Sequence, residues 1–116
     1  LLSTLAILSF ASSDASTIKR STDWTFVKAE IKDSWREEGK AVHRYVLHIE
    51  NHSSQSICGV NVEISGHLKQ RWNLESCEGS YCTPDWFVLK PGAVSSDAGF
   101  ISYGVANVKL LTVREC

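Results

Sequence analysis

Methionine is absent from this chain of 116 residues, and neither basic nor acidic residues are in strong excess. Twelve lysines and arginines stand against thirteen acidic residues, which gives a formal net charge of −1. Nucleic acids and anionic membrane surfaces usually require a basic patch, so the composition predicts neither as a partner. Because a complete reading frame begins with Met, we expect the sequence to lack its first few residues.

The most apolar run, residues 1–10 (LLSTLAILSF), is uncharged and is followed by small residues. This pattern is typical of the end of a signal peptide, and the run is too short to span a bilayer. We therefore expect residues 1–20 to be a signal-peptide remnant with a flexible leader, and residues 21–116 to be one secreted, extracellular domain. A buried N-terminal strand or helix is the alternative. The pair Lys19-Arg20 is either a chance pair or a processing site.

Recognisable catalytic and metal motifs are also absent. The chain has no G-x-S-x-G, no HExxH and no C-x2-C. Its four histidines lack metal-ligand spacing and are expected to be ordinary surface or half-buried residues (His43, His48, His52 and His67). We therefore expect no metal, no cofactor and no catalytic residue. A small hydrolase would need two carboxylates across a cleft, and it is the least favoured alternative.

Four cysteines are present, and an even number in a small secreted domain predicts two disulfides, with three connectivities open. Cys77 and Cys82 flank a short Gly/Ser-containing loop, and this spacing favours a disulfide between them. Cys58 opens one predicted strand and Cys116 ends the last one. If these strands are antiparallel neighbours the two cysteines meet, which favours Cys58–Cys116 and Cys77–Cys82.

Alternation of apolar and polar residues dominates the chain, and no stretch has a helical period. Residues 41–50 and 57–65 read as strands, and the polar turn 51–56 between them predicts a hairpin. The predicted fold class is all-β, an antiparallel β-sandwich of immunoglobulin-like or jelly-roll-like type with two disulfides. Further strands are expected over 24–31 (with a bulge, or apolar on both sides), 87–89, 100–103 and 107–113.

The predicted turn after residue 50 carries Asn51-His52-Ser53, which is an N-x-S glycosylation sequon. A surface turn in a secreted protein is a plausible place for a glycan, so we expect modification of Asn51.

Tryptophan is the most informative residue type, since the chain has four. An exposed indole can stack on the apolar face of a sugar ring, while neighbouring polar groups bind the hydroxyls. Trp24 opens a strand beside Phe26 and is expected to lie in the core. Trp35 and Trp72 lie among polar residues and are expected at the surface. For Trp86, core and surface are evenly matched.

Most of the chain from Trp24 to Val113 resembles carbohydrate-binding module family 49. The shared pattern is a tryptophan, a Gly-Lys turn and an alternating strand that ends in Asn. Tryptophan, Pro-Gly and aromatic-strand motifs follow it. In this chain these motifs are Trp35, Gly39-Lys40, Tyr45–Ile49, Asn51–Ser54, Trp72-Asn73-Leu74, Pro84-Asp85-Trp86, Leu89–Gly92 and Phe100–Gly104.

The resemblance implies a non-catalytic module that binds a polysaccharide, cellulose or a related β-glucan, with Trp35, Trp72 and Trp86 as ligand contacts. The four cysteines are not part of the usual module. An alternative interpretation keeps the sandwich fold but gives it a protein partner, because an exposed aromatic patch serves that role equally well.

Overall fold

A computed structural model describes residues 19–116, so the predicted signal peptide lies almost entirely outside the described residues. The described chain contains one helical turn and six strands: α1 (Ser21–Trp24), β1 (Thr25–Glu37), β2 (Lys40–Asn51), β3 (Ile57–Trp72), β4 (Glu75–Cys77), β5 (Ser80–Cys82) and β6 (Val94–Glu115). The all-β prediction is confirmed. Within residues 19–116, no helix is long and apolar enough to cross a membrane.

All six strands form one antiparallel sheet in the order β1-β2-β6-β3-β5-β4. The predicted hairpin between residues 41–50 and 57–65 is wrong, because β6 lies between β2 and β3. The turn 51–56 therefore connects a strand end beside the start of β6 to a strand start beside the end of β6. Alternation along a strand gives the face that each side chain occupies, but it does not give the neighbouring strand.

The two long strands, β3 and β6, bend together near their middles. Their register shifts between Ser65 and His67, where Gly66 has a φ of 146° and a Cβ would lie 3.0 Å from the Cβ of Ala106. Irregular pairing of this kind bends a strand and increases its twist. The segments 100–103 and 107–113, expected as two strands, are thus two halves of β6.

The bend lets the sheet fold over onto a shared core, which gives the predicted sandwich-like arrangement. Leu47 and Ile49 on β2 pack in one cluster with Ile57, Val60 and Val62 on β3. The segment after β5 closes this cluster with its own buried apolar residues, Phe87 and Leu89. Leu89 pairs with Ile57 through a single bridge, where a strand over 87–89 was expected.

Both predicted disulfides are present. Cys58–Cys116 joins the start of β3 to the end of the chain, and Cys77–Cys82 closes the β4–β5 hairpin. The first pairing follows from the topology, because β3 and β6 are antiparallel neighbours.

The turn after β2 is organised by Asn51, whose residue surface is completely buried. Its amide nitrogen donates hydrogen bonds to the carbonyl oxygens of Gln55 (2.8 Å) and Leu89 (2.9 Å). Its side-chain oxygen accepts from the backbone nitrogen (2.9 Å) and the hydroxyl (2.6 Å) of Ser53. A glycan needs the nitrogen that these bonds use. The geometry therefore argues against the sequence-based expectation that Asn51 is glycosylated, and the sequon residues instead build the turn.

The start of the described chain is tied to the domain. The carbonyl oxygen of Lys19 accepts a hydrogen bond from Ser54 N (3.0 Å), and that of Arg20 accepts from Asp23 N (3.1 Å) and Trp24 N (3.0 Å). Trp24, expected in the core, is 39% exposed, with Lys19 Nζ 4.8 Å above its ring. The expectation failed because the core side of β1 begins at Thr25, not at Trp24.

An aromatic outer face as the candidate functional site

One row of paired residues crosses the sheet near the β1–β2 turn. Trp35 on β1 pairs with Val42 on β2, Val42 pairs with Tyr103 on β6, and Tyr103 pairs with His67 on β3. Directly paired residues project from the same side of a sheet. These four side chains therefore share one face.

That face is the one turned away from the core, since the residues that alternate with it are buried on the other side. Tyr45 and Phe100 stack on each other on the core side with centroids 4.8 Å apart, and Ala106 N donates to the Tyr45 hydroxyl (3.1 Å). We call the opposite side of β1, β2, the first half of β6 and the second half of β3 the outer face.

Val42 is fully buried although it lies on the outer face. Its cross-strand neighbours, Trp35 and Tyr103, are both half-buried and flank it. Part of each ring thus covers Val42, and part remains accessible. This leaves a surface of aromatic rings supported from below by an aliphatic side chain.

Trp72 lies on the same face, at the row where it pairs with Gly99 of β6. A Cβ at position 99 would collide with the indole of Trp72 and with the carbonyl oxygen of Tyr45. The indole therefore lies directly on the backbone of β6, in the space that glycine leaves free. This close approach keeps Trp72 half-buried and near the surface of the sheet.

Glu37 holds Trp35 in place. Its carboxylate accepts from the indole Nε1 of Trp35 (2.8 Å) and from Lys69 Nζ (2.5 and 2.6 Å). The ammonium of Lys69, and next the indole N–H, lower the pKa of Glu37, and Glu37 in turn raises the pKa of Lys69. Lys40 and Lys69 also lie over the ring of Tyr103, with Nζ 5.5 and 6.0 Å from its centroid.

Charged pairs lie among the aromatic residues of the outer face. Arg44 Nη2 lies 2.7 Å from Asp33 on the neighbouring strand, and His48 Nε2 lies 2.7 Å from Glu30. The hydrogen bond from His48 is the largest of the effects that lower the pKa of the Glu30 carboxyl. The outer face thus offers donors and acceptors between its rings, which suits a polyhydroxylated ligand.

The structure brings Trp35 and Trp72 onto one face, and it places Trp86 elsewhere. Trp86 is 62% exposed in the turn that Pro84 closes with Phe87 N (3.0 Å), and this turn belongs to none of the strands of the outer face. Sequence reasoning missed Tyr103. The signal was present, because Tyr103 is three residues from the buried Phe100 and so projects to the opposite side of the strand.

The three aromatic side chains are widely spaced. Tyr103 is two strands away from Trp35, which is about 10 Å at ordinary strand spacing. Trp72 is three strands from Trp35 and four residues away along β6, so the two tryptophans are about 20 Å apart at their backbones. A ligand that touches all three must be an extended chain rather than one ring.

Comparison with curated proteins and with solved structures gives no match. The family model described as "Carbohydrate binding domain CBM49" matches residues 25–103. The matched segment begins with β1 and ends at Tyr103, so it contains every aromatic residue of the outer face named above. This chain therefore belongs to the CBM49 family of carbohydrate-binding domains.

Proposed function

We propose that this protein is a secreted, non-catalytic module that binds cellulose or a closely related β-glucan through its outer face. The observation that carries the proposal is the placement of Trp35, Tyr103 and Trp72 on one side of the sheet within the segment that matches the family. The two disulfides support an oxidising, extracellular location.

Stacking supplies the affinity in this proposal. The C–H faces of glucose rings in a β-linked glucan are flat and apolar, and they match the accessible parts of the indole and phenol rings. Each stacked ring contributes about 1–2 kcal/mol once the buried area is included. Contacts about 20 Å apart favour a polysaccharide over a short sugar, because only a long chain reaches both tryptophans.

The polar composition of the outer face favours a glycan over a protein partner. Protein-binding patches concentrate their apolar anchors in a compact, desolvated centre. Here the Arg44–Asp33 pair lies between the row of Trp35 and the row of Trp72. Separated rings with charged groups between them suit alternating stacking and hydroxyl contacts.

Trp86 remains a predicted ligand contact, but it lies apart from Trp35 and Trp72. It is the most exposed of the four tryptophans, but the outer face does not include it. A chain bound across Trp35 and Trp72 would reach Trp86 only by leaving that face. Trp86→Ala is therefore expected to reduce retention on cellulose less than either of the other tryptophan substitutions.

The first experiment is depletion of the purified protein, with its disulfides intact, onto insoluble cellulose, with chitin and xylan in parallel. We expect selective depletion onto cellulose and no release of soluble sugar. Absence of depletion onto any of the three polysaccharides would refute the proposed function, and release of sugar would refute its non-catalytic part.

Substitution of the tryptophans then tests the site. Trp35→Ala and Trp72→Ala should each weaken retention about 5- to 30-fold, the equivalent of 1–2 kcal/mol. Trp24→Ala is the matched control, since Trp24 is also exposed but belongs to α1. Equal losses in the control and the two test variants, at unchanged thermal stability, would contradict the assignment of the site to the outer face.

Gly99→Ala gives an independent test that leaves every aromatic residue in the chain. The added methyl group meets both the indole of Trp72 and the carbonyl oxygen of Tyr45, so the indole and the pairing of β6 with β2 must shift. We expect a loss of retention close to that of Trp72→Ala, together with a changed intrinsic tryptophan fluorescence. Unchanged retention would show that the position of Trp72 on β6 does not matter for binding.

A further inference from the structure

A hollow of about 280 Å³ opens on the side of the sheet opposite the core, between β3, β6 and the β4–β5 hairpin. Its wall includes both half-cystines of the β4–β5 hairpin, Cys77 and Cys82. Its size is just below that of small-molecule pockets, which begin at about 300 Å³. A single ring-sized ligand fits such a volume.

Strand pairing makes this hollow polar. Glu75 pairs with Cys82, Cys82 with Asn61, and Asn61 with Thr112, so these residues form one row across β4, β5, β3 and β6. The apolar residues that alternate with them, such as Val60 and Val62, are buried in the core. The sequence pattern on these strands therefore places polar side chains side by side on the outward surface.

The next row of paired residues places the guanidinium of Arg114 against Gly59, which has no side chain. Gly59 pairs with Arg114, and a Cβ at position 59 would lie 3.1 Å from Arg114 Nε and 3.2 Å from Nη2. The guanidinium thus lies across Gly59, and its Nη2 donates to the carbonyl oxygen of Cys58 (2.8 Å). Among residues 19–116 this is the one hydrogen bond of the guanidinium, and its other N–H groups can donate to a ligand.

Three charged side chains border the hollow without an ion-pair partner among residues 19–116. These are the carboxylates of Glu75 and Asp85 and the guanidinium of Arg114.

We propose that the hollow is a second saccharide site that takes one terminal sugar ring of a glycan. It offers acceptors on Glu75 and Asp85, and donors on Arg114 and Thr112. A neutral polyol uses both kinds of group, whereas an ionic ligand would favour groups of one sign. The site lies outside the aromatic outer face, and it rests on the proposed function only for the choice of ligand class.

Nuclear magnetic resonance titration of the isotope-labelled full chain with glucose, xylose and cellobiose tests the proposal. We expect saturable shifts confined to the amides that line the hollow, among them Gly59, Glu75, Asp85, Thr112 and Arg114, and no dependence of the affinity on salt concentration. Absence of saturable shifts at these positions with all three sugars would overturn the proposal, and so would shifts restricted to the strands of the outer face.

Two variants and a control sharpen the test. Asp85→Asn removes a charged acceptor from an exposed turn, and Arg114→Gln removes the guanidinium that lies across Gly59. Each should weaken binding at least tenfold. Asp97→Asn changes another exposed carboxylate, on β6 and outside the hollow, and should have no effect. Full affinity in both test variants would overturn the proposal.

Failure of the proposed site in the hollow can be distinguished from failure of the proposed cellulose binding by the outer face. Trp35→Ala should retain the soluble-sugar shifts at the hollow even where it has lost retention on cellulose. Conversely, Asp85→Asn should retain the binding to cellulose. Loss of the shifts in Trp35→Ala would overturn the claim that the hollow is a second, independent site.

Discussion

Asn51 provides the sharpest test of the structure, because its sequence context and its geometry predict opposite roles. If Asn51 carried a glycan, its side chain would have to be accessible to solvent. In the structure its side chain is fully buried and takes part in four hydrogen bonds, two donated and two accepted. Asn51→Ala should therefore destabilise the fold, with no change in glycosylation.

The size of the effect follows from those bonds. Each buried hydrogen bond contributes about 0.5–1.5 kcal/mol, so loss of four bonds gives about 2–6 kcal/mol. In Asn51→Ala the carbonyl oxygen of Leu89 keeps a second donor, Ile57 N (2.9 Å), and the one proton of the Ser53 hydroxyl, released from Asn51, can turn to the carbonyl oxygen of Gln55 (2.9 Å). The lower half of the range, about 2–4 kcal/mol, therefore applies. For a domain of this size the melting temperature should fall by about 10 °C or more.

Thermal unfolding, followed by circular dichroism, measures this loss, and mass spectrometry of the secreted protein measures the glycan. Asn107→Ala is the matched control, because Asn107 is an exposed strand residue whose substitution should change stability by less than about 0.5 kcal/mol. The reasoning would be refuted by a well-folded protein that carries a glycan on Asn51, or by a melting temperature unchanged in Asn51→Ala.

Two further predictions concern the Glu37 contacts and the disulfides. The pKa of Glu37 is lowered by Lys69 and by the Trp35 indole, so its stabilising contacts are complete above the ordinary value of 4.5 and are lost as the pH falls through the lowered pKa. Retention on cellulose should therefore be constant above about pH 4.5 and should decline only at more acidic pH; a decline that begins near neutrality would contradict it. Removal of Cys58–Cys116, whose cysteines are 58 residues apart, should lower the free energy of unfolding by about 4 kcal/mol. Removal of Cys77–Cys82, whose cysteines are 5 residues apart, should lower it by about 2 kcal/mol. Equal melting temperatures for the two double serine variants would refute this ranking.

Local features of this fold could be read from the sequence, because they depend on neighbours along the chain. Alternation along 41–50 correctly assigned Leu47 and Ile49 to one face, and both lie in the core. The Gly39-Lys40 turn begins where β1 ends, and Gly39 adopts a φ of 80° that glycine permits. The Cys58–Cys116 pairing followed from the expectation that two strands are antiparallel neighbours.

Features that depend on the order of the strands in the sheet could not be predicted from the sequence. The expected hairpin of β2 with β3 was wrong, since β6 enters between them from the far end of the sequence. The same insertion creates the outer face, because Tyr103 of β6 lies beside Val42. Trp86 illustrates the same limit. Its sequence neighbours resemble those of a ligand contact, but only the fold shows that its turn lies outside the outer face.

The boundaries of the family match separate the two sites that we propose. The match ends at Tyr103, and the outer face is complete at that point. Residues 104–116 add the second half of β6, which pairs with the first half of β3 and ends in the Cys58–Cys116 disulfide. Two polar groups of the hollow, Thr112 and Arg114, come from this added half. The segment that holds the chain end against β3 therefore also builds the hollow. A ligand there should stabilise the paired ends of β3 and β6, whereas a polysaccharide on the outer face should not depend on them.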